Sequence, residues 1–301
     1  MHLPMCEKKM NHLCAISDYN FLPKGLTLYD SLREKSSDFI MHYLCFDKKS
    51  FDKMSEYGSD TLIVYHDEEF LSNKILKNLK IKDRKYYSYT LASFFSNYLI
   101  EKIGSDITYI DSDIYFHQDI DLIFKEIKSR DIGMFRHRQY SMDFPNANGW
   151  FNVGVVHFKN TDIGRHVLNW WADAVLNRKY PELATCGDQR YLDAFLEIDR
   201  DSVFIDGAIG HGAPWQWQLY SFDTYEKDGC ITWNNDKQKL VFSHFSQFEY
   251  SIKKNTYTPS TMHHCYTPVN FYTNGVLKSI YDNYFDEIKK THIKYDIEES
   301  V

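Results

Sequence analysis

Two carboxylates one residue apart, at the end of an apolar run, are the first feature with a chemical reading: Asp111-Ser112-Asp113 follows Ile107-Thr-Tyr-Ile110. In an extended segment residues i and i+2 project to the same side, so Asp111 and Asp113 converge on one cation while Ser112 points away. Hard oxygen ligands favour Mg²⁺ or Mn²⁺. The triplet alone is weak, because Asp119-Ile-Asp121 repeats it at the start of a helix, where acids merely suit the dipole. Position strengthens it: Ile107 to Ile110 is apolar enough to bury, which leaves both acids at a strand end. Solvated turn acids are the alternative.

Three further clusters carry chemistry. Phe151-Asn152-Val153-Gly154-Val155-Val156 is a strand with an amide and a glycine, where backbone and side chain can approach a sugar. Gly187-Asp188-Gln189 is a turn before a helix over Tyr191 to Phe195. Its carboxylate and amide suit sugar hydroxyls and positive charge at an anomeric carbon, and Asp188 as a helix N-cap is the structural alternative. Leu240-Val-Phe242 leads into Ser243-His244-Phe245, and a histidine there adds a nitrogen ligand that tilts the choice towards Mn²⁺. A structural histidine is the commoner case. His263-His264-Cys265 looks like a metal cluster, but adjacent residues do not converge easily on one ion and no second pair has zinc spacing.

The elements that must position these residues alternate. His12 to Ile16 reads as a strand, with a turn over Ser17 to Asn20 and a helix opened by Pro23 and running to Leu32. Phe39 to Cys45 and Thr61 to Tyr65 read as strands, Phe51 to Tyr57 and Glu68 to Leu79 as helices. Leu91, Phe94, Phe95, Tyr98 and Leu99 form the stripe of a helix between Arg84 and Lys102, before the strand Ile107 to Ile110. Ile114 to Phe116 continues extended, Ile120 to Ile127 is a helix, and Asp131 to Phe135 and Phe151 to Phe158 are strands around a loop over Arg136 to Gly149. Ile163, Val167, Trp170, Trp171, Ala174 and Val175 mark another buried helical stripe, which assigns both tryptophans to the core. Leu277 to Ile288 is a C-terminal helix and Asp296 to Val301 a solvated tail. The order predicts an α/β fold with a mostly parallel sheet, ligands collecting beyond the carboxyl ends of the strands. No repeat, linker or domain boundary interrupts it, so one domain over 1–301 is expected.

The 301 residues suffice for helices on both faces of a sheet. A net charge of -7, from 35 basic and 42 acidic side chains, gives no general attraction to nucleic acid. No apolar run approaches the roughly 20 residues of a membrane span, and Met1 to Asn11 lacks the apolar stretch of a secretory signal, so a soluble, cytoplasmic protein is expected. Cys6, Cys14, Cys45, Cys186, Cys230 and Cys265 contain no CxxC pair and read as reduced thiols.

Taken in order from His12 to Ile288, these segments resemble the GT-A glycosyltransferases, particularly the family 8 type and related bacterial transferases of surface polysaccharide loci. The carrying segments are His12-Leu-Cys-Ala-Ile-Ser-Asp-Tyr-Asn-Phe-Leu22, Tyr109-Ile-Asp-Ser-Asp-Ile-Tyr-Phe116, Gly149-Trp-Phe-Asn-Val-Gly-Val155, Gly187-Asp-Gln-Arg-Tyr-Leu192 and Ser243-His-Phe245. The resemblance implies a metal-dependent hexosyltransferase using a nucleotide-diphosphate sugar, a UDP-sugar first, in cell-surface polysaccharide or lipopolysaccharide synthesis. Residues 1–125 would form the nucleotide-binding half, 126–270 the donor-sugar and acceptor half, and 271–301 a C-terminal helix and tail. Ser17, Asp18 and Tyr19 would lie near base and ribose, with Tyr89, Thr90, Ser112 and Gly154 as further donor contacts. Asp111, Asp113 and His244 would hold Mn²⁺ or Mg²⁺, and Asn152, Asp188 and Gln189 would face the donor sugar and reaction centre. The acceptor would be a saccharide or glycolipid, reached at the inner face of the membrane if association is peripheral, with contacts in Arg136 to Trp150 and Ile205 to Tyr220. There Trp215, Trp217 and Tyr220 are candidates to stack on a sugar or to fill the core.

The family pattern continues after its histidine to a glycine and Lys-Pro-Trp, whereas Ser246-Gln-Phe248 follows here, so Arg84 and Lys85 become the candidate cations for the diphosphate. Gly212-Ala-Pro-Trp215 is closer to the polysaccharide-locus relatives. Two other readings stand beside this one: a catalytically silent nucleotide-sugar-binding partner, and a sugar nucleotidyltransferase, whose usual glycine-rich basic loop is missing from Ile16 to Pro23. Retention follows from the resemblance, while inversion would need a base, for which Asp188 is the candidate.

Overall fold

The computed structural model describes residues 10–138, 148–260 and 273–299. Buried apolar runs form β1 (Asn11–Ser17), β2 (Phe39–Cys45) and β4 (Ile107–Ile110), and β3 (Leu62–His66), buried at Leu62 and Tyr65, is the edge strand. They pair in parallel in the order β3-β2-β1-β4. After β5 (Ile114–Phe116), β6 (Ile132–Arg136) and β7 (Phe151–Phe158) complete the sheet with β8 (Val203–Ile205). β7 lies antiparallel to both β4 and β6, and β8 lies parallel to β6. The result is a mixed, mostly parallel sheet of seven strands, as the alternation predicts.

Helices cover both faces: α1 (Leu22–Lys35), α2 (Lys48–Ser55), α3 (Lys74–Lys82), α4 (Arg84–Ile103), α5 (Asp121–Ile127) and α6 (Asp162–Leu176). Leu91, Phe95 and Leu99 of α4 pack with Val167, Trp171 and Val175 of α6 on one face, while Leu22, Leu26 and Leu32 of α1 pack on Met41 and Tyr43 on the other. Each such buried side chain contributes about 1.5–3 kcal/mol relative to exposure. Trp170 is only partly buried, against Tyr180, Tyr191 and Phe195.

A second sheet was not expected. β9 (Ile209–Gly212) follows the short helix α7 (Phe195–Asp199), and β10 (Cys230–Trp233) and β11 (Asp236–His244) follow α8 (Tyr225–Asp228). β11 pairs antiparallel with β10 and β5 and parallel with β9. Asn234 and Asn235, both at positive φ, make the two-residue turn between β10 and β11, the left-handed geometry that suits a hairpin. A third cluster, including Trp217, Phe245, Tyr281 and Tyr284, lies beneath α9 (Gly275–Lys294), with β12 (Glu249–Ser251) and β13 (Thr256–Thr258) as a hairpin at its edge.

Three expectations change. The helix expected over Glu68 to Leu79 is broken: a 3₁₀ turn spans Asp67–Phe70, and Asn73 caps a new start by accepting from the Ile75 and Leu76 N–H groups. The helix expected at Phe51 begins earlier, because Asp47 accepts from Ser50 N–H. The tail is docked through Glu299: Ile297 is buried, and the Glu299 carboxylate accepts from the N–H groups of Ile252 and Lys253. Cys6, His263-His264-Cys265 and part of the expected 136–149 loop lie outside the described residues, as do residues 300 and 301. Among the described residues Cys14, Cys45, Cys186 and Cys230 are free thiols.

Candidate active site

The Asp111-Ser112-Asp113 segment leaves β4 as a turn and not as extended chain. Asp111 N–H still donates to Gly154 O on β7, at 2.9 Å, but Ile114 N–H folds back to Asp111 O at 3.1 Å. Both carboxylates converge through that turn. β5 then pairs with the end of β11 so that His244 lies opposite Ile114, and Phe245 N–H donates to Asp113 O. His244 Nε2 therefore sits 3.0 Å from Asp113 Oδ1 and 3.7 Å from Asp111 Oδ2. One ligand atom from each residue lies within 4.8 Å of the others, and two carboxylates with an imidazole form a donor set that could hold a divalent metal.

Burial sets the charges of this group. Burial pushes Asp111 up, and the neighbouring Asp113 adds to it, against the pull of His244. Burial also opposes charge on Asp113, but His244 outweighs it and holds that carboxyl below its usual range. The converse holds for His244: burial opposes the imidazolium, while the charge of Asp113 and then of Asp111 raises its pKa. Tyr109, two residues before Asp111, donates its hydroxyl to Asp111 Oδ1 at 2.7 Å. Strand periodicity would have found Tyr109, since i and i+2 share a face.

The group lies in a cleft of ≈ 750 Å³ at the carboxyl ends of β1 and β4. Of the residues singled out from the sequence, Ser17, Asp18, Tyr89, Asp111, Ser112, Asp113, Asn152, Asp188, Gln189 and His244 line it, as do Arg84 and Lys85. Asp18 accepts from the N–H groups of Asn20 and Phe21 and faces the Arg84 guanidinium at 3.3 Å. The Ser112 hydroxyl turns back to the Ile16 carbonyl at 2.7 Å. Asn152 bonds His244 Nδ1 and Gln189 Oε1, each at 3.0 Å. Trp171 Nε1–H donates to the Asp188 carbonyl, so the core of α6 holds the 187–189 turn. The Asp188 side chain makes no helix cap. Burial, and then the charge of Asp111, pushes its carboxyl well above the usual range.

Three expected donor contacts do not border the cleft. Thr90 is buried within α4, its hydroxyl donating to Tyr86 O at 2.9 Å, because a helical threonine readily bonds the preceding turn. Tyr19 lies under the Lys49 ammonium, 3.7 Å from its ring centroid, and its N–H goes to Asp47. Gly154 faces His244: a Cβ there would lie 2.6 Å from Asn152 Oδ1 and 2.7 Å from His244 Nδ1. Among the aromatic acceptor candidates, Trp217 and Tyr220 are buried in the C-terminal cluster, whereas Trp215 lines the cleft and meets His244 edge-on at 5.5 Å.

Sequence reasoning placed His137 only within the Arg136 to Trp150 range and read Cys186 only as a reduced thiol, though both line the cleft, and it missed a cluster flanking His137. There buried Asp206 pairs with Arg136 Nε at 2.8 Å and Arg138 Nε at 3.1 Å, which anchors the chain beyond β6. No short motif announces such a cluster.

No family model matches the chain. It is 27% identical over 255 residues to YfnF of Bacillus subtilis (strain 168), covering 78% of this chain and 80% of that protein. YfnD of the same strain is 26% identical over 252 residues, with 81% and 79% covered. Both are described as uncharacterized. Among solved structures, the chain is similar to apo mouse xyloside xylosyltransferase 1, with a TM-score of 0.51 at 14% identity over 82% of this chain and 99% of that one. It is also similar to the galactosyltransferase LgtC in complex with donor and acceptor sugar analogues, with a TM-score of 0.51 at 12% identity over 77% and 86%. These structural relatives are family 8 glycosyltransferases. At such identities the fold is what is shared, and it is the GT-A arrangement.

Proposed function

We propose that this chain is a glycosyltransferase that moves a hexose-type sugar from a nucleotide-diphosphate donor, with a UDP-sugar as the first candidate, to a saccharide or glycolipid acceptor of cell-surface polysaccharide synthesis. The observation that carries the reading is the Asp111, Asp113 and His244 group in a cleft at the carboxyl ends of parallel strands. The same fold occurs in a galactosyltransferase solved with donor and acceptor sugar analogues.

Each part of the cleft has a chemical task in this reading. Ser17 and Asp18 bound the nucleotide end. Arg84 and Lys85, at the start of α4, offer positive charge to the diphosphate. Asp111, Asp113 and His244 would hold Mn²⁺ or Mg²⁺, which would supply Lewis-acid charge for the departing nucleoside diphosphate. Trp215 and His137, packed edge-on at 5.2 Å, form another part of the cleft wall. Asp188 and Gln189 bound the sugar end.

Retention follows from the likeness to family 8 transferases, while inversion would need a base, for which Asp188 is the candidate. In the retaining course no protein base is required, whatever the charge of the Asp188 carboxyl, which burial pushes well above the usual range. The acceptor's proton then leaves on the departing phosphate. NMR of the product will show the donor's anomeric configuration retained, and an inverted product would restore Asp188 as the base. Asp111→Ala and Asp113→Ala will each lower transfer by roughly 100-fold or more, since several kcal/mol of charge stabilisation is lost. Near-normal transfer by both variants in chelator would end this reading. A protein that binds a nucleotide sugar but neither transfers nor hydrolyses it would be the silent partner instead.

A further inference from the structure

Two main-chain N–H groups of β7 decide how two side-chain amides face, and through them which nitrogen of His244 carries hydrogen. Gly154 N–H donates to Asn152 Oδ1 at 2.9 Å, and Val153 N–H donates to Gln189 Oε1 at 3.3 Å. A main-chain N–H can only donate, so both side-chain oxygens are fixed towards the strand. Asn152 Nδ2 must then be the donor to Gln189 Oε1, at 3.0 Å, and Gln189 Nε2 turns to the Asn148 carbonyl at 2.9 Å. His244 Nδ1 stands 3.0 Å from Asn152 Oδ1, an atom that only accepts. Nδ1 therefore carries hydrogen. In the neutral imidazole the lone pair is left on Nε2, the nitrogen that faces Asp113 and Asp111.

Gly154 makes this contact sterically open. Its missing side chain leaves the space in which His244 Nδ1 and Asn152 Oδ1 meet, and a Cβ would stand within 2.7 Å of both. The glycine and the amide, two residues apart on one strand, thus serve the same imidazole.

We propose that Asn152 is a positioning residue for the metal group: its carboxamide oxygen holds His244 with hydrogen on Nδ1, so that Nε2 faces the cation site, while its amide nitrogen fixes the orientation of Gln189. This rests on the metal reading above and goes beyond it. One side chain joins the two ends of the reaction centre, and the register of β7 sets both.

The test is Mn²⁺ binding without any nucleotide sugar, followed by the loss of the free-ion signal in electron paramagnetic resonance. Removing a partner that orients a metal-bound histidine typically costs 10- to 100-fold in affinity. Asn152→Ala is expected to weaken Mn²⁺ binding by about that factor. Asn152→Asp keeps an accepting oxygen for both His244 and Gly154, and is expected to bind at least as tightly as the wild type while losing the bond to Gln189. If Asn152→Ala fails to fold, Asn152→Leu, of similar shape and without an acceptor, takes its place. Equal Mn²⁺ affinity in the wild type and in the Ala or Leu variant overturns the proposal and leaves the metal reading intact. So does equal weakening in the Asp variant, which would show that the accepting oxygen is not what matters. A wild-type protein that binds no Mn²⁺ overturns both readings.

Discussion

Asp113 and His244 stabilise each other's charged forms in the ion-free protein, and a cation must displace the imidazolium proton to use Nε2. That gives a pH dependence with a definite sign. The His244 pKa lies above its ordinary 6.5, so Mn²⁺ affinity is full above the raised value and falls as pH drops through it, by about tenfold per unit below. Titrations from pH 8.5 to 6 will show this loss, and a flat profile would remove His244 from the ligand set. At the residue scale the acids were legible because a buried apolar run ends on them. Their geometry was not: the carboxylates converge through a turn closed by Ile114 N–H, and not through strand alternation. Asn152 and Gly154 were also legible as residues of interest, yet for a reason the sequence did not carry. They face His244, 92 and 90 positions later, a neighbour set by pairing between distant strands.

At the scale of elements, the long strands and helices were readable wherever one period persisted. β2, β4, β5 and β7 fall on their expected residues, and the α4 and α6 stripes pack as their spacing requires. The second sheet was not read, since β9 and β10 have four residues each and too little length for a period to show. The Asn234-Asn235 turn was a local signal for the β10–β11 hairpin that could have been used. The fit of α1 on β2 is close enough to predict a cost. A Cβ on Gly25 would lie 1.7 Å from the Tyr43 hydroxyl, which bonds Ser17 Oγ at 2.9 Å and Ser112 Oγ at 3.1 Å. Gly25→Ala must move Tyr43 and disturb the turn that carries Asp111 and Asp113. It is expected to cost about 1–3 kcal/mol of stability by overpacking, read as a lower urea midpoint. An unchanged midpoint would show that α1 shifts freely.

For the whole molecule, the chain carries a net charge of -7, and the described cations lining the cleft are Arg84 and Lys85, of which Arg84 already faces Asp18 and Asp47. A diphosphate in such a cleft would also meet the Asp111 and Asp113 carboxylates, and a bound divalent cation would offset that repulsion. No described helix is long and apolar enough to cross a membrane. The most direct measurement is nucleotide release from UDP-, GDP-, CMP- and dTDP-sugars by the purified protein, with Mn²⁺, with chelator, and with Mn²⁺ restored. One donor class will release nucleotide with Mn²⁺, chelator will stop the release, and added Mn²⁺ will bring it back. Release that continues undiminished in chelator, or no release from any donor with or without acceptor saccharides, would contradict metal-dependent transfer.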